Sequence, residues 1–579
     1  MTQPISVDNQ KSQTMEITDF KSSPDPQTSD GTTDSPAPGE GKGQAQVFNE
    51  QTNYVSKSKI ITIFLACATV DLVALMDQTT LAASLSIIGN ALQAGQQLSW
   101  LANGYFITST VGQLLYGRLS DIWSRKVILM IGLAIFGIGS LASSLAQTAT
   151  QLVIFRCLTG FGGGGLMTVA QMIVSDVVPL RERGKYQGIL GAVTALANGI
   201  GPVIGGALSS QGGDSWRWIF RLNLPLTAFS AVSALFFMPL KRVKAEWRVK
   251  LQAIDFTGIT LALAGTTSLM LGLTWGGGEY PWNSAAVLAS LLAGLAVCVT
   301  FVLWQWKGAS YPLMPVEIFR ARMTTGACIT MLINGWNFVV QVYYIPTFYQ
   351  LVYGYGATKA GVMLLPITLV QTASSTLSGL LVHWVGRYRE CVLFGWACWS
   401  VGLGLMSTLD ETSGLGKQVG YSLLIGVGVG NTLQPALVAI QAGVPRKDMA
   451  VVTSFRNFVR NLGATFGLAI CGTILNNVVR NSIDSLELEA EARNGLLRNA
   501  QQYVSTLSDE DAERIGATLA PAYRRSFKII FELGAGLAAF AFFVAFFLMP
   551  HIDLDRPDDD KLKEEGRQAC AQEKSEASP

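Results

Sequence analysis

The sequence predicts an all-α polytopic membrane protein with about fourteen transmembrane helices. The first reason is composition, because 49% of the residues are hydrophobic and only 14% are charged, whereas soluble proteins carry roughly 25% charged residues. The second reason is that the apolar residues form blocks of about twenty, enough to cross a hydrocarbon core of roughly 30 Å. The third is that most blocks lack the polar stripe of a helix that lies on a soluble core.

The apolar blocks follow one another through most of the chain. Their expected limits are about 58–83, 98–118, 127–147, 151–176, 186–210, 218–240, 254–274, 285–305, 325–351, 358–384, 390–410, 418–443, 451–475 and 528–550. An even number of spans places both tails on one side of the membrane.

The two tails differ from the rest of the chain in composition. Residues 1–56 are rich in Ser, Thr, Pro, Gly and Asp, as in SSPDPQTSDGTTDSPAPGEGKG, and residues 551–579 are highly charged. Such segments cannot bury enough apolar surface to offset the entropy lost on ordering, so we expect disordered tails. No cleavable signal peptide is visible, and the first apolar block is expected to act as the insertion signal.

Lysine and arginine in the short loops indicate the orientation. With a cytoplasmic N-terminus, the inside loops contain many basic residues, whereas the short outside loops offer little beyond Lys359 and Lys417. Both tails are therefore expected in the cytoplasm. A long extracytoplasmic loop, 476–527, has helical spacing of Leu and Ala; it is either a lid or, as we prefer, a pair of solvated short helices.

Several function classes are disfavoured by composition. The net charge of +2 gives no basic surface for nucleic acid. Seven of the eight cysteines lie in apolar blocks and the chain has two histidines, so we predict no disulfide framework, no metal site and no cofactor. No nucleophile–base constellation supports an enzyme. No Gly-x4-Gly-Lys-Ser/Thr loop is present, so the energy for any transport is expected to come from a gradient.

Charged residues inside apolar spans are costly and therefore indicate function. Asp71 and Asp77 lie in the first span, six residues apart, so they face different directions around a helix. Asp77, Arg156 in the fourth span, and Gly201 with Pro202 in the fifth are all expected in the outer half of the membrane. An aspartate near an arginine can exchange a proton for a salt bridge. The alternative is structural: Asp77 bonding neighbouring helices, Arg156 as its static partner, and glycines that permit close packing.

The loop after the second span reads YGRLSDIWSRKVIL. Asp121 lies at this turn, near Arg118, Arg125 and Lys126, where a carboxylate can cap the next helix or bridge the basic groups. The alternative is a loop that only sets the orientation.

These motifs together resemble the major facilitator superfamily, and within it the fourteen-span drug:proton antiporters. Gly117, Asp121, Arg125 and Lys126 resemble the gating-loop motif, which this chain departs from at Ile122 and Ser124. Arg156 matches the buried arginine of the fourth-helix motif, and Asp77, in LMDQTTLAASL, is similar to the first-helix aspartate. The fifth-helix antiporter motif is matched by Gly191, Gly201, Pro202, Gly205 and Gly206.

Longer stretches extend the resemblance over about residues 57–550. DSWRWIFRLNLP, YYIPTFYQLVYGYGATKAGVMLLP and GVGVGNTLQPALVAIQ look like the fungal members, which include azole-resistance and toxin-efflux pumps. The family fold implies a six-helix bundle at 57–240, two inserted helices at 241–310 and a second six-helix bundle at 311–550.

The resemblance implies a monomeric, proton-coupled antiporter that exports amphipathic drugs, toxins or secondary metabolites across the plasma membrane. Asp77 and Arg156 are implied in proton coupling. We further expect the substrate cavity to contain Asp71, Trp336, Asn337, Gln350 and Gln434. Two alternatives keep the fold, namely a vacuolar importer of basic amino acids and a non-transporting nutrient sensor. Asp71 keeps the first alternative open, whereas the short C-terminal tail argues against the second.

Overall fold

The computed structural model describes residues 57–94, 97–178, 180–238, 254–276, 280–310, 312–314, 316–445, 448–484, 509–552 and 554. The tails expected to be disordered lie outside these ranges, apart from residues 551, 552 and 554.

Helices make up nearly all of the described secondary structure. Numbered in chain order, they are α1 (Lys57–Ala91), α2 (Leu98–Ile122), α3 (Arg125–Leu145), α4 (Ala149–Val177), α5 (Leu180–Ser209), α6 (Arg217–Phe237), α7 (Phe256–Trp275), α8 (Ala285–Leu303), α9 (Arg322–Val339), α10 (Ile345–Leu351), α11 (Ala357–Val362), α12 (Leu365–Val385), α13 (Arg389–Met406), α14 (Leu415–Ala442), α15 (Met449–Asp484) and α16 (Asp509–Leu548). Helices are the expected solution in lipid, because every backbone polar group is satisfied within the segment.

Within the described ranges, twelve helical segments are long and apolar enough to cross a membrane. The two remaining predicted spans are present as α2 and α13, which are not among the twelve. Polar residues lower the hydropathy of α2. Four of them are buried between other helices, where they do not face lipid: Asn103, Ser109, Thr110 and Gln113. The all-helical fold is thus present, and the count of fourteen spans stays a prediction.

Two predicted spans each contain an irregular turn beside a proline. The span expected at 325–351 consists of α9, a π-helical turn at Val340–Tyr344, and α10 with Pro346 in its first turn. The span expected at 358–384 consists of α11 and α12, and Pro366 lies in the first turn of α12. Proline has no N–H for the helical ladder but fits the first turn of a helix, so it marks the start of each second segment.

The helices pack as two groups. In the first helix group, α1 to α6, α1 contacts α4, α5 and α6, while α4 also contacts α2 and α3. In the second helix group, α9 to α16, α9 contacts α15 and α16, and α14 contacts α12 and α13. Two extensive contacts join the groups, one between α5 and α12 and the other between α2 and α15. The space between the two helix groups is therefore bounded by α5 and α12 on one side and by α2 and α15 on the other.

The α7–α8 pair is held together at one end by Asp255. Its Oδ1 accepts hydrogen bonds from the backbone N–H of Gly258 at 2.8 Å and from the indole of Trp304 at 2.9 Å, and its Oδ2 accepts one from Gln305 at 2.6 Å. The same carboxylate therefore caps α7 and binds the end of α8. α7 in turn contacts α2 and α15.

The loop expected at 476–527 is partly helical. α15 continues to Asp484 and α16 begins at Asp509, while residues 485–508 lie outside the described ranges. α15 has 36 residues and α16 has 40, which correspond to lengths of about 54 and 60 Å. Both helices therefore exceed a hydrocarbon core of roughly 30 Å.

Candidate functional site

The predicted proton-coupling residues Asp77 and Arg156 form a direct ion pair between α1 and α4. Arg156 Nη1 donates to Asp77 Oδ2 at 2.6 Å, and the two side chains are 1% and 0% exposed. A charge buried to this degree is stable only when it is paired and hydrogen-bonded. The structure thus brings together two residues that the sequence places in one layer of the membrane; their role in coupling stays a prediction.

Asn223 of α6 completes the environment of this carboxylate. Its Nδ2 donates to Asp77 Oδ1 at 2.7 Å, so each oxygen of Asp77 accepts one hydrogen bond from a different helix. Asn223 lies in the stretch DSWRWIFRLNLP, and no role was predicted for it from the sequence. Its depth in the membrane could have identified Asn223 as a partner of Asp77. Asn223 lies six residues, or about 9 Å, into α6, and so in the layer of Asp77.

Aromatic side chains cover the ion pair. The guanidinium of Arg156 lies 4.6 Å from the ring centroid of Tyr105 and 5.9 Å from that of Phe220, distances at which a cation is attracted to a ring face. The Tyr105 hydroxyl accepts from Gln78 Nε2 at 3.2 Å. These rings keep water from the pair and leave its electrostatic attraction weakly screened.

One residue of the second helix group reaches this site. Tyr343, in the π-helical turn after α9, donates from its hydroxyl to the carbonyl oxygen of Gln78 at 3.1 Å and packs against Phe106 with ring centroids 6.2 Å apart. Gln78 adjoins Asp77 in α1. Movement of the second group relative to the first therefore acts directly on the backbone beside the ion pair.

The predicted antiporter motif places α5 against both helix groups. A Cβ atom added at Gly201 or Gly205 would overlap Thr79 or Thr80 of α1, and one at Gly191 would overlap Ser375 of α12. Only glycine permits these backbones to approach so closely.

Two further residues of the motif lie along the same helix. Gly206 faces Ala357 at the start of α11, with 3.1 Å between an added Cβ and the Ala357 backbone. Pro202 lies inside α5 without ending it. The motif residues are therefore packing residues in this conformation, and a role in export stays a prediction.

The predicted gating loop is an ion-paired corner between α2, α3 and α4. Arg125 pairs with Asp176 of α4 and donates to Ser120 Oγ at 2.7 Å. Asp176 is an acidic partner that the sequence analysis did not identify. The side chain of Asp121 lies outside the described part of the structure.

The other two gating-loop residues contact distant helices. Lys126 Nζ donates to the carbonyl oxygens of Leu235 and Met238 at 2.7 and 2.8 Å, which caps the end of α6. A Cβ atom added at Gly117 would overlap Ser454 of α15, so this glycine sets the approach of α2 to the second helix group.

Hydrogen bonds cross between the two groups near this corner. Arg183 of α5 donates to Gln441 Oε1 of α14 at 3.2 Å, and Gln441 donates in turn to Ser175 Oγ of α4 at 2.9 Å. Asn457 of α15 donates to Gln171 Oε1 of α4 at 3.0 Å. These buried amides close the space between the groups at the end where α4 ends and α5 begins.

The five expected cavity residues lie in different environments. Asp71 is buried in α1, and its Oδ1 has no hydrogen-bond partner among the described residues. Gln434 lies beside Gly191, within the contact between the groups. Trp336 packs against Gly467 of α15, and Gln350 is half-buried on α10.

Asn337 is engaged between helices. Its Nδ2 donates to the carbonyl oxygen of Gly534 at 3.3 Å, so the side chain points from α9 to α16. The structure therefore does not bring these five residues into one cluster.

Two arginines of α15, Arg456, which is buried, and Arg460, which is half-buried, have no role predicted from the sequence. Arg456 donates to the carbonyl oxygen of Leu433 at 2.7 Å and to Asn457 Oδ1 at 3.0 Å, and Arg460 donates to Asn334 Oδ1 at 2.9 Å. Both lie within a segment apolar enough to span a membrane. Charge inside an apolar span, the rule that selected Asp77 and Arg156, would have selected these two as well.

Comparison with known proteins identifies the family. The profile of the Major Facilitator Superfamily matches residues 67–468 of the 579 in the chain. The chain belongs to this superfamily. It is accordingly a multi-pass membrane transporter rather than an enzyme.

Several similar curated members of the superfamily are fungal exporters. Citrate exporter 1 of Yarrowia lipolytica is 34% identical over 78% of this chain and 67% of its own length. Efflux pump dotC of Dothistroma septosporum is 32% identical over 74% of each chain, and efflux pump FUS6 of Gibberella moniliformis is 30% identical over 84% of this chain and 87% of its own. The relatives therefore support efflux as the direction of transport.

Solved structures agree on the fold. The proton:xylose symporter XylE, bound to 6-bromo-6-deoxy-D-glucose, superposes with a TM-score of 0.55 at 12% identity, covering 88% of this chain and 99% of its own. An inward-facing bacterial homologue of the human lysosomal transporter Spinster superposes with a TM-score of 0.53 at 15% identity, covering 85% and 98%. At such identities the likeness concerns the major facilitator fold alone.

Proposed function

We propose that this chain is a proton-coupled antiporter that exports amphipathic small molecules from the cytoplasm. It has fourteen spans arranged as six, two and six, works as a monomer in the plasma membrane, and holds both termini in the cytoplasm. The observation that carries the proposal is the buried Asp77–Arg156 pair, whose carboxylate is hydrogen-bonded by α4 and α6 and adjoins a contact from the second helix group.

Protonation of Asp77 is the chemical step of the proposed cycle. A protonated carboxyl carries no charge, so its attraction to Arg156 is lost and the buried guanidinium must find another acceptor. That change favours a different arrangement of α1, α4 and α6. Protonation thus becomes a difference in free energy between two conformations, which any coupled transporter requires.

Two contacts carry this change to the second helix group. Tyr343 holds the backbone of Gln78, next to Asp77, and α5 packs against α1 on one side and α12 on the other. Alternating access in this fold rocks one bundle against the other around a central site. A shift of α1 at Asp77 therefore acts on both contacts together.

The conformation described here is closed at the end expected to face the cytoplasm. The Arg183–Gln441 and Asn457–Gln171 hydrogen bonds span the two groups there. For cargo to enter from the cytoplasm these bonds must break, and they form again before cargo leaves on the other side. The Asn457–Gln171 bond joins two neutral amides and contributes only about 0.5–1.5 kcal/mol, whereas the Arg183–Gln441 bond has a charged donor and contributes about 1.5–3 kcal/mol. Both are small enough to break and form again in a transport cycle.

One proton supplies enough energy for the exchange of a neutral cargo. Moving one charge through 100 mV yields about 2.3 kcal/mol, and a pH difference of one unit adds about 1.4 kcal/mol. Together they sustain a gradient of roughly several hundredfold. No ATP is needed.

Transport into inside-out membrane vesicles tests the proposal. The full chain is expressed in yeast deleted for its own drug pumps, and a growth screen with fungicides and fungal metabolites selects the cargo. Vesicles with an acidic lumen are expected to accumulate that cargo until an uncoupler is added, and Asp77→Asn vesicles are expected to accumulate none. Uncoupler-sensitive accumulation that persists in Asp77→Asn would overturn the assignment of the proton site.

The vacuolar import of basic amino acids is the alternative that one observation favours. Asp71 is a second buried carboxyl, and its Oδ1 lacks a partner among the described residues, as a site for a cationic cargo requires. Vacuolar-membrane vesicles distinguish the two functions. Import of lysine or arginine that is lost in Asp71→Asn supports the alternative, whereas plasma-membrane location and efflux exclude it.

A further inference from the structure

The arginine pair, Arg456 and Arg460 of α15, is a buried concentration of positive charge. Arg456 is 1% exposed and Arg460 is half-buried. They are four positions apart in sequence, so they project from the same face of α15, toward Leu433 of α14 and Asn334 of α9.

The described acceptors around the arginine pair are all neutral. They are one carbonyl oxygen and the amide oxygens of Asn334 and Asn457. Two other buried or half-buried arginines of the described chain have carboxylate partners, Arg156 with Asp77 and Arg125 with Asp176. No carboxylate in the described ranges forms an ion pair with Arg456 or Arg460. A compensating negative charge must therefore come from elsewhere or the pair remains uncompensated.

The hydrogen-bonding capacity of the pair is also largely unused. Two guanidinium groups offer about ten N–H donors, and three hydrogen bonds to protein acceptors are described. Arg456 Nε is buried with no partner among the described residues. Unpaired donors and like charges four residues apart are both costly at this depth. An anion placed between the two side chains removes both costs at once.

We propose that Arg456 and Arg460 bind a carboxylate of the exported molecule, so that the cargo is an organic acid in its anionic form. A guanidinium presents two parallel N–H groups that match the two oxygens of a carboxylate. Asn334 positions Arg460 by accepting from its Nε, which leaves the outer N–H groups of that guanidinium for the ligand. This inference rests on the proposed export function and specifies its cargo.

The surroundings favour an acid that also has an apolar part. The guanidinium of Arg460 lies 4.6 Å from the ring centroid of Phe338, and this ring offers an apolar surface beside the charge. Thr432 binds Asn334 from α14 and adds a small polar contact. The site thus combines two cations with an aromatic wall, which suits a carboxylate on an aromatic or aliphatic body better than a free inorganic anion.

Ligand-induced stabilisation of the purified full-length protein tests the site. The melting temperature is followed by tryptophan fluorescence in detergent with citrate, cinnamate, neutral cinnamamide or inorganic phosphate. Cinnamate is expected to raise the melting temperature, and citrate, which has carboxylates but no apolar part, to raise it less; both are expected to bind with at least about tenfold weaker apparent affinity in Arg456→Gln and Arg460→Gln. Cinnamamide and phosphate are expected to have no effect.

Arg389→Gln is the matched control. Arg389 also donates to a backbone carbonyl oxygen, that of Phe546 at 2.7 Å, and also lies over a phenylalanine ring at 5.3 Å, but outside the proposed site. The Arg389→Gln protein is expected to bind citrate or cinnamate as tightly as the wild type does. Arg460→Lys keeps the charge without the planar fork, so we expect it to retain part of the affinity.

The melting temperatures measured without ligand distinguish an anion-binding role of the two arginines from a purely structural one. If the arginine pair is an unoccupied anion site, ligand-free Arg456→Gln and Arg460→Gln melt at or above the wild-type temperature, because an uncompensated charge has been removed. Lower melting of both variants, or equal ligand shifts in both variants and the wild type, overturns the inference. So does the failure of citrate and cinnamate to stabilise the wild type, or stabilisation by cinnamamide or phosphate instead.

The carboxylate-binding test and the proton-coupling test can fail independently of each other. Carboxylate binding that depends on the arginine pair, together with proton-driven uptake that persists in Asp77→Asn, leaves the site in place and removes the proton assignment. Proton-driven uptake of a neutral cargo, with no carboxylate binding, leaves the proposed proton coupling in place and removes the carboxylate site.

Discussion

Removal of one member of the Asp77–Arg156 pair is expected to destabilise the protein more than removal of both. In Asp77→Asn, the amide replaces one acceptor oxygen by a donor, so either Arg156 or Asn223 loses its partner. A hydrogen bond to a charged group contributes about 1.5–3 kcal/mol, and a buried cation left unpaired raises the total cost to about 3–5 kcal/mol. The double variant Asp77→Asn with Arg156→Met leaves no unpaired charge, and we expect it to recover at least about 2 kcal/mol.

Denaturant unfolding in mixed micelles measures these differences as a double-mutant cycle. Asp71→Asn is the matched control, because it makes the same chemical change in the same helix at a carboxyl oxygen with no described partner; we expect it to cost less than Asp77→Asn. The cycle is also expected to separate stability from function, since the double variant should be folded but inactive in proton-driven export. Equal destabilisation by Asp77→Asn and by the double variant would refute the reasoning.

Three further predictions concern packing and the contacts between helices. Gly205→Ala is expected to lower thermal stability, as overpacking against α1 costs about 1–3 kcal/mol, whereas Gly420→Ala, with open space around it, is expected to be neutral or stabilising. Tyr343→Phe removes a hydrogen bond of about 0.5–1.5 kcal/mol; spin-label distances between α1 and α9 should show a shift of roughly two- to tenfold between conformations. Burial raises the pKa of Tyr388 to about 12, so its hydroxyl keeps its proton, and its hydrogen bond to the Pro550 carbonyl oxygen, at alkaline pH above the ordinary tyrosine pKa of about 10. Tyr388→Phe should accelerate proteolysis of the C-terminal tail at neutral pH.

The helical fold was predictable because lipid leaves few alternatives. Twenty apolar residues without a polar stripe have one common solution, and the apolar blocks correspond to helices throughout the described ranges. The irregular turns before α10 and α12 were not predicted, although Pro346 and Pro366 mark them. The segment expected to be the loop at 476–527 contains the end of α15 and the start of α16, because a helix can continue past the membrane without any change in its backbone hydrogen bonds; the bounds of the loop stay a prediction.

Parts of the candidate site were predictable for a different reason. A charge in lipid is so costly that Asp77 and Arg156 are conspicuous, and the rise per residue places them at one depth. Asn223 was not predicted, because a neutral amide in an apolar span costs less free energy than a charge and is therefore a weaker sign of function. The direction of the Asn337 side chain was not predictable, since the rotational orientation of a helix that is buried on every side cannot be determined from its sequence; its amide donates to α16, and its place in the substrate cavity stays a prediction. Arg456 and Arg460 are also charges inside a predicted apolar span, at 451–475, but no role was predicted for them.

The lengths of α15 and α16 have a practical consequence. With 36 and 40 residues, each helix extends about 20–30 Å beyond the hydrocarbon core. Small transporters hidden in a detergent belt give electron microscopy little to align, and this helical pair supplies a feature outside that belt. An antibody fragment raised against it, or a rigid protein fused between residues 484 and 509, would serve as a fiducial mark for imaging the transporter in more than one conformation.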